Sequence, residues 1–167
     1  MRASRLSRYS WTMFDFANQP FYTLIMTFVF SVYFTDVFII GEDGAQKLTL
    51  TQTISGIAIA ILSPVLGSIT DIKGNRKFFM GITSILFVIG MALLWYSPPG
   101  APDGIWIVMF GLILASAMVG FSEVFNNSVW ATIETPENSG WLSGMSYGLG
   151  YISGLIAFIL FLLIFVW

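Results

Sequence analysis

An all-α integral membrane protein is the fold class this sequence predicts, and three observations predict it. Of 167 residues, 56% are hydrophobic and 10% charged, with mean hydropathy +0.82. A soluble domain carries about 25% charged residues, so this chain lacks the polar side chains to coat a globule. The charges cluster, leaving uncharged runs over 16–35, 48–70, 78–102, 104–122 and 138–167. Each run reaches the roughly 18 residues that mark a membrane-spanning helix. The runs are continuously apolar, whereas strands of a membrane barrel alternate apolar and polar residues over about ten positions. Lipid leaves only helices or closed barrels as spanning structures, so a helical bundle follows.

Taken in order, the chain opens on a basic segment with Arg2, Arg5 and Arg8. A signal peptide has an apolar core of about 7–15 residues and a small-residue cleavage site. Here the apolar stretch runs on past Pro20 through Phe38, Ile39 and Ile40 with no such site, so it reads as a retained first span over 11–40. The second span is expected over 51–70, the third over 78–96, the fourth over 105–133 and the fifth over 141–167. Short polar or breaker segments separate them, the clearest being the Pro-rich stretch at 97–104. With the N-terminus cytoplasmic, Arg2, Arg5, Arg8, Lys73, Arg76 and Lys77 lie inside and only Lys47 outside, which follows the positive-inside rule. The chain reaches Trp167 within apolar sequence, and five spans are an awkward total, so it is expected to be truncated, with further helices missing.

Composition excludes several functions. There is no Cys and no His, which removes thiol chemistry, His-based triads and the usual zinc sites. A net charge of −2 gives no basic stripe for nucleic acid. No G-x-x-x-x-G-K-[ST] loop is present, so ATP is not the direct energy source. An intramembrane serine protease lacks its His base, and an aspartyl protease would need two embedded aspartates close together. Asp15 and Asp71 are the available pair, and both are expected near the cytoplasmic face. Neither an enzyme nor a cofactor is expected.

The residues that carry chemistry are the scarce polar ones. Between the second and third spans stand Gly67, Asp71, Gly74, Arg76 and Lys77. Gly67 permits close helix approach, Gly74 permits a turn with positive φ, and Asp71 can pair with Arg76 or Lys77. Such a charged latch could be made in one conformation and broken in another; the alternative is a loop whose positive charges only fix topology. In the first span, Asp15, Asn18 and Tyr22 share one helical face, about 60° wide at 100° per residue. They form either a polar patch for solute or a coupling proton, or a headgroup-level anchor. Glu123 lies near the centre of the fourth span, with Gly120, Asn126, Asn127 and Trp130 on much the same face. A carboxylate in hydrocarbon is costly, which suits proton coupling or recognition of an ammonium group; an interhelical hydrogen bond is the alternative. Gly140, Gly144 and Gly148 are spaced by four, and Gly150 and Gly154 repeat the step with Ser146 between. Such faces let helices pack closely in lipid. Pro20 and Pro64 are candidate kinks.

The pattern G-x-x-x-D-x-x-G-x-R-K over 67–77 resembles the loop signature of the major facilitator superfamily, with Ile72 where a basic residue often follows the aspartate. That resemblance implies the front five helices of a six-helix bundle from a longer secondary transporter, with the loop tied to the switch between outward- and inward-open states. The stretch Ser10, Trp11, Asp15, Ala17, Asn18 resembles the opening of the vacuole-effluxer-like permeases, related to the autophagy amino-acid exporter of fungal vacuoles. The stretch from Pro136 and Glu137 through Gly144, Gly148, Gly150 and Tyr151 is similar to that branch too, without the basic residue many relatives carry near 139–141. The branch implies an amino acid or similar small solute, moved by alternating access across a bilayer, the inner membrane if the source is bacterial. A non-transporting membrane adaptor or assembly factor is the alternative.

Overall fold

The structure, a computed structural model, describes residues 5–99, 102–133 and 139–167, without the side chains at 5, 71, 73, 102, 131, 132 and 139. The loop acids Glu134 and Glu137, the basic residue Arg2 and the side chains of Arg5, Asp71 and Lys73 therefore lie outside the description. Among the described residues every regular element is helical. The α-helices are α1 (Arg5–Pro20), α2 (Phe30–Tyr33), α3 (Glu42–Lys73), α4 (Arg76–Leu93), α5 (Ile105–Ile133) and α6 (Ser139–Phe165). Among the described residues, five stretches are long and apolar enough to cross a membrane: Leu6–Phe38, Glu42–Thr70, Arg76–Tyr96, Ile105–Trp130 and Gly140–Phe165.

The first of these is not one α-helix. Pro20 ends α1, and wider helical turns follow over Phe21–Phe28 and Phe34–Phe38 with the single turn α2 between them. In the wide turns the Val29 amide donates to the Leu24 carbonyl at 3.0 Å and the Ile39 amide to the Phe34 carbonyl at 2.9 Å, both five residues back. Proline has no N–H and cannot extend the four-residue ladder.

The second spanning helix starts well before the expected position 51. Gly41 turns the chain with φ 87°, and the Gly44 Cα sits against the Ile39 carbonyl where any Cβ would collide. Glu42 and Asp43 then occupy the first turn of α3, where the helix dipole favours acids, and Lys47 pairs with Asp43 at 2.7 Å. At 32 residues, α3 is about 48 Å long, more than the hydrocarbon thickness of about 30 Å requires. It ends on Gly74, whose φ of 66° is left-handed and whose amide donates to the Thr70 carbonyl at 2.9 Å.

The chain divides into two compact units, Met1–Val32 with Val129–Trp167, and Tyr33–Ser128. In the first unit, α1 packs along α6. Leu142, Ser146 and Ser153 of α6 are buried, and so is Trp11, which clusters with Ile133 and Leu142. In the second unit, α5 is the core helix: 56% of its spanning window is buried, against 11–17% for the other spans. Phe121 and Phe125 pack there against Ile59 and Leu66 of α3 and Phe79 and Met80 of α4. Gly90 and Gly111 bring α4 and α5 into backbone contact, since a Cβ at Gly90 would stand 2.7 Å from the Ala115 nitrogen.

Candidate functional site

Two polar clusters stand inside the spans, one in each unit. In the first unit, Asp15 on α1 is half-buried, and its Oδ2 accepts a hydrogen bond of 2.6 Å from the Ser146 hydroxyl on α6. The sequence brings them together through small residues. A Cβ at Gly150 would lie 3.6 Å from the Asp15 Cβ, and Gly154 faces Gln19 and Thr23 so closely that any Cβ would clash with the Thr23 hydroxyl. One turn from Asp15, the Asn18 amide nitrogen is buried and has no hydrogen-bond partner among the described residues. Tyr22 continues this line into the wide turns, with its ring edge-on to Phe21 at 5.5 Å. All three residues lie in the first unit, Asp15 and Asn18 on α1 and Tyr22 in the wide turns that follow it.

The same interface repairs the proline break. Because Pro20 has no N–H, the Phe16 carbonyl four residues earlier loses its helical donor. The Ser153 hydroxyl of α6 donates to that carbonyl. A polar backbone group freed within a membrane span is costly unless a neighbouring helix satisfies it, and Ser153 does so.

In the second unit, Glu123 sits half-buried on α5 next to the buried Ser122, whose hydroxyl shares a short hydrogen bond with that of Thr83 on α4. Asn126, three residues on, is 4% exposed, while Asn127 is exposed. Asn126 is thus the packed member of this set and Asn127 the exposed one, a helical step of about 100° apart, with Glu123 between them in burial. Open hollows lie elsewhere in this unit. One of about 630 Å³ is lined by Leu94, Trp95, Ser97 and Asp103, and one of about 540 Å³ by Phe38, Asp43, Lys47 and Trp106. Among the described residues no group of three acids, His or Cys converges to hold a metal ion.

The loop motif is built around the α3–α4 turn. Gly67 lies at ordinary contact distance from Val124, a Cβ there standing 3.9 Å from its Cγ1. Arg76 donates from Nη1 to the Ser128 carbonyl at 3.0 Å, tying the start of α4 to α5, and Lys77 is exposed. The Asp71 side chain, and so its expected pairing, lies outside the described residues.

The glycine series separates into two faces. Gly150 and Gly154, with Ser146, line the α1 contact, whereas Gly140, Gly144 and Gly148 have open space around them among the described residues. The two rows point to opposite sides of α6, so the packing expected of all five glycines is made within this chain by two. Sequence reading missed three features: the Gly90–Gly111 contact, the Thr83–Ser122 bond and the role of Ser153. The only signal for the first was a small-residue spacing, Gly111 to Ala115, within one apolar run.

Among the described residues, five helical stretches able to span a bilayer, with carboxylates and amides set among them, define a multi-pass integral membrane protein. The chain is 30% identical over 157 residues, 90% of its length, to a Bacillus subtilis (strain 168) protein described as an uncharacterized MFS-type transporter, YxiO, and covers 36% of that protein. It is 31% identical over 140 residues, 82% of its length, to an uncharacterized protein of Aquifex aeolicus (strain VF5), covering 34% of it. The chain thus spans about a third of the length of the curated relatives it matches. No family model matches it. No solved structure matches it either.

Proposed function

We propose that this chain is part of a secondary transporter of the major facilitator type, moving a small solute across a bilayer by alternating access, with no enzymatic step. The observation that carries the reading is the similarity to an MFS-type transporter over 90% of the chain. The polar groups inside the spans support it, since ionisable residues at membrane depth mark solute and proton paths. Further helices of the same protein would complete the bundle. The N-terminus on the cytoplasmic side belongs to this reading, because six of the seven basic residues then face the cytoplasm.

Within the reading, Asp15, Asn18 and Tyr22 form one solute- or proton-handling patch, and Glu123 with Asn126 and Asn127 forms another. Carboxylates and amides suit a cargo with an ammonium group, so an amino acid or similar metabolite of the vacuole-effluxer kind is the favoured solute. The loop residues Gly67, Asp71, Gly74, Arg76 and Lys77 act as the conformational switch.

The test is transport by the full-length protein in vesicles, screened with labelled amino acids under a proton gradient. Glu123→Gln removes the titrating group and keeps the shape. It is expected to abolish gradient-driven flux while the protein inserts normally; unchanged flux takes Glu123 off the path.

A further inference from the structure

The first span contains two wide-turn stretches, Phe21–Phe28 and Phe34–Phe38, on either side of one α-turn. Turns closed five residues back are rare, occur mostly singly within α-helices, and concentrate at functional places. Here their hydrogen bonds are well formed: Val29 to Leu24 at 3.0 Å and Ile39 to Phe34 at 2.9 Å. One side chain reinforces the wide register: the Thr27 hydroxyl donates to the Tyr22 carbonyl, again five residues back, at 2.8 Å. The Ser31 hydroxyl, in the α-turn between the two stretches, donates to the Thr27 carbonyl four residues back at 2.6 Å.

The two ends of the span are held separately. In the first unit, the N-terminal end is tied to α6 by Ser146 on Asp15, by Ser153 on the Phe16 carbonyl and by Phe28 against Phe158 at 5.1 Å. In the second unit, Phe34 and Phe38 are 0% and 3% exposed, and the Tyr33 hydroxyl donates to the Ser97 carbonyl. The chain passes from one unit to the other between Val32 and Tyr33, inside this stretch.

We propose that residues 21–38 are a register joint, in which the wide turns interconvert with α-turns and rotate the C-terminal end of the first span against its N-terminal end. Each wide turn holds a surplus residue. Passing it out of the turn rotates the following segment by about 100°, one residue's step. The exchange costs no backbone hydrogen bond, because each amide moves from the carbonyl five back to the one four back. Pro20 makes the joint one-sided: with no N–H it cannot join the ladder of α1, and Ser153 holds the Phe16 carbonyl throughout.

The joint is independent of the transporter reading, since its test needs no solute. Spin labels are placed on exposed positions at the two ends, Met13→Cys and Val37→Cys, in a cysteine-free background of the full-length protein in lipid nanodiscs. Double electron–electron resonance then reads the distance between them. The expected result is two distance populations. Thr27→Val, which removes the hydroxyl that favours the wide register and keeps the shape, is expected to shift their ratio several-fold. A single population in the parent, or two whose ratio Thr27→Val leaves unchanged, overturns the proposal.

Discussion

A missing hydrogen explains much of the α1–α6 interface. Pro20 strips the Phe16 carbonyl of its donor, and Ser153 on another helix supplies one. Five residues below Pro20, Asp15 is tied to Ser146. Charge-assisted bonds are stronger than neutral ones, yet in membranes interhelical bonds average only about 0.6 kcal/mol by double-mutant cycle, because the unfolded state in lipid finds partners as well. Asp15→Ala and Ser146→Ala are therefore each expected to destabilise the protein, with a coupling energy between them of about 0.5–1.5 kcal/mol. Unfolding of the single and double variants in mixed detergent measures it; strict additivity would deny the bond. Asp15 stood out in the sequence because a carboxylate beside an apolar run has to be explained. Its partner did not, since a serine in an apolar helix carries no signal of direction and lies 131 positions away.

Among elements, glycine decides which helices touch. α4 and α5 meet at Gly90 and Gly111, where a Cβ at Gly111 would stand 2.8 Å from the Gly90 carbonyl oxygen. Gly90→Val forces two backbones apart. It is expected to lower stability by roughly 1–3 kcal/mol, the usual cost of overpacking, seen as a lower Tm in a thermal-shift assay. Gly144→Val, in open space, is the control expected to change it little. Spacing revealed the glycine rows of α6, but only the α1 contact tells the row at 150 and 154 from the row at 140, 144 and 148. The wide turns of the first span were equally hidden. An apolar run reads the same whether its amides reach back four residues or five, and Pro20 marked only where a break was allowed. The early start of α3 had signals in Gly41, Glu42, Asp43 and Lys47, which the apolar-run criterion passes over because those residues are polar.

For the whole molecule, the sequence carried the class plainly. Run length and scarcity of charge depend on the solvent around the chain, and large apolar side chains such as Ile57, Ile61, Val88 and Ile159 are correspondingly exposed, as a lipid-facing surface requires. The number of spans followed from the same arithmetic. The candidate site was legible only as residue types: Asp15 and Glu123 were picked out by the cost of charge in hydrocarbon, while their surroundings depend on which neighbours fold against them. The account rests on Glu123 occupying a polar, water-reachable niche within the fourth span. Cysteine accessibility tests this most directly, because this chain has no cysteine of its own. Glu123→Cys in the full-length protein, in a cysteine-free background and native-like membranes, is to be treated with a charged, membrane-impermeant thiol reagent beside a Val88→Cys control. The expected result is modification at 123 at least tenfold faster than at 88; equal inertness of the two positions would place Glu123 against acyl chains and contradict the account.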